Sequence, residues 1–237
     1  LEAGELVEHD APKLDRIRAS FEGADGRSGS LQDRLADTSS GVPGFMRVQV
    51  YADRLHVHRS TGTSTTLTVI TAAVEEVWGE TGEAPLVIVD YLQKVRIPEA
   101  AQMVEDERIT LVVEGLKDLA IDAGVPVLAI VAADKDGIES GRRTRAQHMR
   151  GSTALAYEPD TLLVLNNKFD AVARHHLVYD TSAADRFHEW VVMSIEKNRS
   201  GRDGIDLEFK KVFEQSRFDP DGNLVAERLI DDRVYVE

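Results

Sequence analysis

Apolar positions recur along this chain in two rhythms. From Leu67 to Trp78 they fall at Ile70, Ala73, Val74 and Val77, the three-and-four spacing of one helix face. From Glu107 to Asp122 the stripe is Ile109, Val112, Val113, Leu116 and Ala120, and Gly124 ends the helix. The other rhythm is the short unbroken run. Pro85-Leu-Val-Ile-Val-Asp90 and Val125-Pro-Val-Leu-Ala-Ile-Val131 read as strands buried on both faces of a parallel sheet. Pro126 stands at a strand entry, where its missing N–H does least harm. Thr161–Leu165 and Trp190–Ile195 are two further strands, and Arg54–His58 alternates like a short one. Ile205–Phe213 and Val225–Val236 alternate as antiparallel hairpins at a sheet edge. Glu22–Gly44 reads as a loop with one helical turn near Leu31–Leu35, and Ser60–Ser64 as a polar turn able to cap the next helix. Residues 132–150 are polar and basic and read as a loop. The strand–helix–strand order predicts an α/β fold, a mostly parallel β-sheet flanked by helices with antiparallel strands at its C-terminal edge.

Composition narrows the chemistry. The 237 residues hold no cysteine, which excludes disulfides, thiolate nucleophiles and cysteine-ligated zinc, and fits a cytoplasmic protein. No apolar run approaches the ~18–20 residues that span a membrane, and the acidic start, Leu1–Asp10, lacks the apolar core of a signal peptide. His175-His176 is expected on a strand, with the two rings facing opposite ways, and so not as a metal site. The formal charge is −14. A uniformly acidic surface repels nucleic acid, so DNA binding requires a local basic patch. One exists: between Lys135 and Arg150, five cations (Lys135, Arg142, Arg143, Arg145, Arg150) face two acids, Asp136 and Glu139. Such a loop suits the phosphates of a single strand, or is simply solvated.

Asp90 ends a buried strand, and ligands of open α/β sheets sit beyond the carboxyl ends of the strands. A carboxylate there is able to hold hydrated Mg2+ against nucleotide phosphates, or merely to cap a turn.

Val87-Ile-Val-Asp-Tyr-Leu-Gln93 resembles the Walker B segment of DnaB-type replicative hexameric helicases. Further segments are similar in the same order: Arg108 with Leu116–Ala120, Val125–Ala129, Met149-Arg-Gly-Ser152 through Pro159-Asp160, Glu196-Lys-Asn-Arg-Ser-Gly201, and Phe209–Phe218. The resemblance covers roughly Arg54 to Asp219. It implies the C-terminal RecA-like ATPase domain of that family, with ATP and Mg2+ as cofactors and a hexameric ring on single-stranded DNA as the working assembly. On this reading residues 1–237 form one motor domain, N-terminally incomplete. It comprises a helix and irregular region (1–53), the motif-bearing core (54–219) and a C-terminal strand extension (220–237). Asp90 would organise Mg2+ through water, with Gln93 also at the nucleotide. Lys197 and Arg199 would reach a neighbouring subunit's γ-phosphate, where a planar guanidinium pairs well with phosphate oxygens; otherwise they are a solvated strand end. Arg142, Arg143, Arg145, Arg150, Gly151 and Ser152 would meet the DNA.

The pattern also breaks. No Gly-x-x-x-x-Gly-Lys-Ser/Thr phosphate loop occurs in the sequence. The family carries it upstream, followed by a strand with a catalytic Glu, and Leu1–Gly4 resembles the helix just after that strand, so the chain is expected to start inside a longer gene product. Ala132 stands where the family has a phosphate-sensing Gln, Gly151 where it has Glu, and Thr153 where it has Gly. An enzyme that translocates on DNA is therefore one expectation. A non-catalytic DNA-binding or assembly module on the same fold is the other.

Overall fold

A computed structural model describes residues 26, 29–36, 41–59, 64–100, 102–133, 143–173, 175–178, 181–213 and 217–231. The chain divides into two compact units, Leu1–Val57 with Phe209–Gly222, and His58–Glu208 with Asn223–Glu237.

The smaller unit holds α1 (Leu31–Leu35) and α2 (Gly41–Gln49). Ser30 caps α1 reciprocally: its hydroxyl accepts the Asp33 N–H, and the Asp33 carboxylate accepts the Ser30 N–H. α2 begins inside the Glu22–Gly44 stretch expected as a loop. Pro43 stands in its first turn, where no intrahelical partner is lost. The strand expected at Arg54–His58 is absent; a 3-10 turn covers Ala52–Arg54, and Leu55 and Val57 are exposed. Alternation alone does not make a strand when no neighbour takes up its hydrogen bonds.

In the larger unit α3 (Leu67–Thr81) begins at Thr66, whose hydroxyl accepts the Val69 N–H, not in the expected Ser60–Ser64 turn, most of which lies outside the described residues. β1 (Val87–Val89) follows, then α4 (Glu105–Asp122), with Glu105, Asp106 and Glu107 complementing the positive end of its dipole. β2 (Val127–Ala129) pairs with β1 in parallel, Ile88 opposite Leu128. One face of this pair packs Val89, Val127 and Ala129 onto a core of Ile109, Val112, Val113 and Leu116 from α4, with Leu92, Val95 and Leu155. A Cβ at Gly115 would overlap the tip of the Leu67 side chain, which packs close over α4 at that glycine.

The opposite face is open. Leu86, Ile88, Leu128 and Ile130 are between 45% and 60% exposed. The unbroken apolar run predicts burial on both faces; here one face alone is covered.

The second sheet begins with β3 (Thr161–Asn167), antiparallel to β4 (Trp190–Asn198), which neighbours β5 (Ile205–Val212). Between β3 and β4 lie the short helices α6 (Lys168–Ala171), α7 (His175–Val178) and α8 (Thr181–Phe187). The one-turn α5 (Ala154–Tyr157) precedes β3. Within the smaller unit, the end of β5 pairs antiparallel with β6 (Arg217–Phe218). In the larger unit Leu207 and Glu208 pair with β7 (Asn223–Leu224). Antiparallel pairing thus dominates. Among the described residues β1–β2 is the one pair of strands shown as parallel, against the mostly parallel sheet expected. The expected strand over Val225–Val236 reduces to a single bridge between Leu229 and Val172; residues 232–237 lie outside the described ones. His175 and His176 open a helix instead of lying on a strand, and their rings stand 3.9 Å apart. Burial, and then His175, push the His176 imidazole below its ordinary value.

Candidate functional site

Asp90 is exposed at the carboxyl end of β1. The chain around it is fastened to the end of β2: the Ile130 N–H donates to Val89 O at 2.9 Å, and the Leu92 N–H to Ile130 O at 2.8 Å. The Asp90–Tyr91 peptide is cis.

Gln93 sits on the following 3-10 turn, and its amide is engaged by backbone. It accepts the Ala132 N–H at 3.2 Å and donates to Ala132 O at 3.2 Å and to Arg150 O at 3.0 Å. A side chain so committed has little left for a nucleotide, the role expected of it.

The basic run separates into an anchored part and an exposed part. Lys135 and Arg142 lie outside the described residues. Arg143, expected on DNA, is buried with its side chain 7% exposed; it pairs with Asp206 of β5 and donates to Ser194 Oγ of β4 at 2.8 Å. Thr144 exchanges two hydrogen bonds with the buried Asn166 of β3, its N–H donating at 2.6 Å and its C=O accepting at 3.0 Å. Arg145 pairs with Glu196 at 3.1 Å and with Asp231 at 3.6 Å. Most of these partners are polar residues of the strands, and they fasten the segment to the sheet. Withdrawing Arg143 from its carboxylate partner to meet a phosphate would break a largely buried pair, which is costly.

Arg150 differs. Its side chain is 58% exposed and meets Glu105 at the start of α4, at 3.0 Å. Gly151 follows with φ of 113°, a conformation suited to glycine. The Ser152 hydroxyl is hydrogen-bonded to Thr110 of α4 and accepts the Ala154 N–H at 3.0 Å, starting α5. Arg150, Gly151 and Ser152 thus lie on the N-terminal side of that helical turn.

Lys197 and Arg199 gather on its C-terminal side. The Lys197 ammonium donates to the carbonyls of Ala156 and Tyr157. Arg199 donates to Tyr157 O at 2.8 Å and pairs with Asp160 at 3.1 Å. Free carbonyls at a helix end attract cations. Asp160 also takes Lys117 of α4 at 2.7 Å. Lys117, and after it Arg199, hold the Asp160 carboxyl below its ordinary range. Asp160 was visible in the sequence only within a matching segment; its two cation partners lie 43 and 39 residues away, beyond any local pattern.

Among the described residues no group of three or more His, Asp or Glu side chains is arranged to hold a metal. The described residues thus present one exposed strand-end carboxylate, Asp90, and a pair of cations, Lys197 and Arg199, at a helix end. None of the described helices is long and apolar enough to cross a membrane.

A family model described as the DnaB-like helicase C terminal domain matches residues 25–219. Among solved structures, the chain is similar to an ATPase domain, at 18% identity and a TM-score of 0.65, covering 92% of this chain and 67% of that one. It is also similar to a DnaB-like replicative helicase whose structure was described with its primase interactions, at 16% identity and a TM-score of 0.63. That match covers 91% of this chain and 47% of that one, so the chain spans about half the length of that relative. No curated protein matches by sequence.

Proposed function

Since this chain belongs to the DnaB-like helicase C-terminal domain family, we propose that it is the motor portion of an ATP-driven helicase. In this reading it moves on single-stranded DNA as a hexameric ring. The observation that carries the reading is the family match itself, which spans Asp90, Arg150, Lys197 and Arg199 together.

The geometry supports a division of labour. Asp90 would hold Mg2+ through water, and Lys197 with Arg199 would reach the γ-phosphate bound by the neighbouring subunit. ATP, when bound, supplies the phosphoryl transfer that drives movement. Arg199 is half-exposed, and its partner Asp160 is more so. Exposed ion pairs contribute little, so exchanging Asp160 for a phosphate costs little. DNA would meet Arg150 and the backbone N–H groups of the Gly151–Ser152 turn, with Arg142 and the partly exposed Arg145 as secondary cations. Arg143 serves to anchor the segment.

The test is subunit mixing in the intact protein that carries this domain. Arg199→Ala and Asp90→Ala subunits each lack one half of every shared site. Mixed rings contain some interfaces with both halves, so the mixture should hydrolyse ATP faster than either variant alone. A mixture that never exceeds the separate variants would refute the shared site. Ala132, with no polar side chain to meet a phosphate, favours a second reading, a non-catalytic DNA-binding or assembly module. On that reading single-stranded DNA binds and ATP turnover is absent even from the wild-type ring.

A further inference from the structure

The geometry points to Gln93 as the residue that positions Arg150 for DNA, an inference that rests on the proposed role of Arg150. Three segments meet at one side chain. Gln93 belongs to the turn that leaves Asp90; Ala132 lies just beyond β2; Arg150 begins the exposed basic turn. The Gln93 amide and the Ala132 peptide form a two-way pair, at 3.2 Å in each direction. The Gln93 amide nitrogen also reaches Arg150 O at 3.0 Å, and the Arg150 N–H donates back to Ala132 O at 3.1 Å. A bridge between Ala133 and Met149 continues the contact on the next residues.

Only a primary amide of this length both accepts from a peptide N–H and donates to two carbonyls at this spacing. A carboxylate keeps the acceptor and turns a negative charge toward two carbonyl oxygens. A thioether keeps the shape and loses every bond. The backbone of Arg150 is therefore held from the Asp90 side of the sheet, while its guanidinium stays exposed. Ala132, lacking any polar side chain, contributes through its peptide groups, and Gln93 engages both its N–H and its C=O. The turn after Asp90 and the backbone of Arg150 are thus joined by hydrogen bonds within one connected cluster.

A double-mutant cycle separates positioning from general support. The readout is fluorescence anisotropy of a fluorescein-labelled oligo-dT titrated with wild type, Gln93→Met, Arg150→Ala and the double variant. Gln93→Glu is carried in parallel, and thermal melts check folding. Positioning predicts that Gln93→Met weakens binding by at least about fivefold in the wild-type background and leaves the Arg150→Ala protein unchanged, with Gln93→Glu behaving alike. An equal loss in both backgrounds means that Gln93 merely supports the fold, and the proposal falls. If Arg150→Ala weakens binding and Gln93→Met does not, the proposal falls while the DNA reading of Arg150 stands. If Arg150→Ala itself has no effect, the DNA reading fails and takes this inference with it. If neither Gln93 variant folds, the residue serves the fold as a whole and the proposal is overturned.

Discussion

Gly151→Ala should destabilise the protein far more than adding one methyl group ordinarily does. Two independent costs meet at this position. The backbone stands at φ of 113°, where an L side chain is strained; holding a non-glycine residue in so sparsely populated a region costs about 1–3 kcal/mol. The added Cβ would also lie 3.0 Å from Ile109 Cγ1, 3.1 Å from Cγ2 and 3.2 Å from Cβ. Ile109 is fully buried in α4 and belongs to the main core. Its β-branched side chain has one strongly preferred rotamer in a helix, so relief requires α4 or the turn to move. Overpacking of this kind costs about 1–3 kcal/mol. Together the two give ~2–6 kcal/mol, a large part of the ~5–15 kcal/mol that keeps a domain folded.

Urea melts followed by far-ultraviolet circular dichroism measure the loss as a fall in the transition midpoint at unchanged slope. A thermal midpoint would fall by roughly 2–4 °C per kcal/mol for a domain of this size. Gly79→Ala is the internal control: Gly79 lies inside α3, and a Cβ there meets nothing within 4 Å. It should stabilise by about 0.5–1 kcal/mol through helix propensity. A Gly151→Ala protein within about 0.5 kcal/mol of wild type would refute the argument, because neither strain nor crowding could then be present. The same reasoning forbids simple restoration of the family's Glu at this position, since a larger side chain begins with the same Cβ.

Two further outcomes test the electrostatics. Lys168 is 4% exposed and pairs with Glu208 and with Glu227, which are 15% and 18% exposed; Lys168→Met leaves two carboxylates facing each other and should cost about 3 kcal/mol at neutral pH. Burial pushes the Glu227 carboxyl up, and Lys168 together with the Glu227 backbone N–H and His176 more than offsets it, so its pKa in the wild type is lowered. Wild-type stability from this group is present above the ordinary carboxylate range and lost as pH falls through the lowered value. In the variant the upward push keeps only the backbone N–H and His176 against it, acid relieves the strain, and the gap between the two proteins should close on acidification; a gap that is constant from neutral pH to pH of about 4 would rule the pairing out as its source. For Asp160, carbon-13 NMR should find the carboxyl titrating below the ordinary range. Lys117→Met should raise it more than Arg199→Ala does, and the opposite order would mean that Arg199 is its principal partner.

The residues that were legible in the sequence share one property: their partners are either neighbours in the chain or a generic core. α3 and α4 follow from spacing because any apolar surface satisfies an apolar stripe, and β1 and β2 follow because an unbroken run has few other uses. The same runs did not tell which face is covered, and Ile88 with Leu128 remain exposed. Charge behaved differently again. Counting cations between Lys135 and Arg150 treated them as equivalent, yet Arg143 is satisfied by Asp206, 63 residues away, and Arg150 by an exposed carboxylate at a helix start. No local pattern separates the two, because burial of an arginine is decided by a distant strand. Gln93 makes the point most sharply. Its place in the Asp-Tyr-Leu-Gln segment suggested the nucleotide, and its three hydrogen bonds lead instead to the peptide groups of Ala132 and the carbonyl of Arg150. Backbone partners carry no residue identity, so such a bond leaves no trace in composition or spacing. Ala132, which the resemblance matches to a Gln of the family, brings no polar side chain to that site, and Gln93 holds its peptide groups instead. The connection between the Asp90 turn and Arg150 therefore runs through peptide groups and does not depend on the identity of the side chain at position 132.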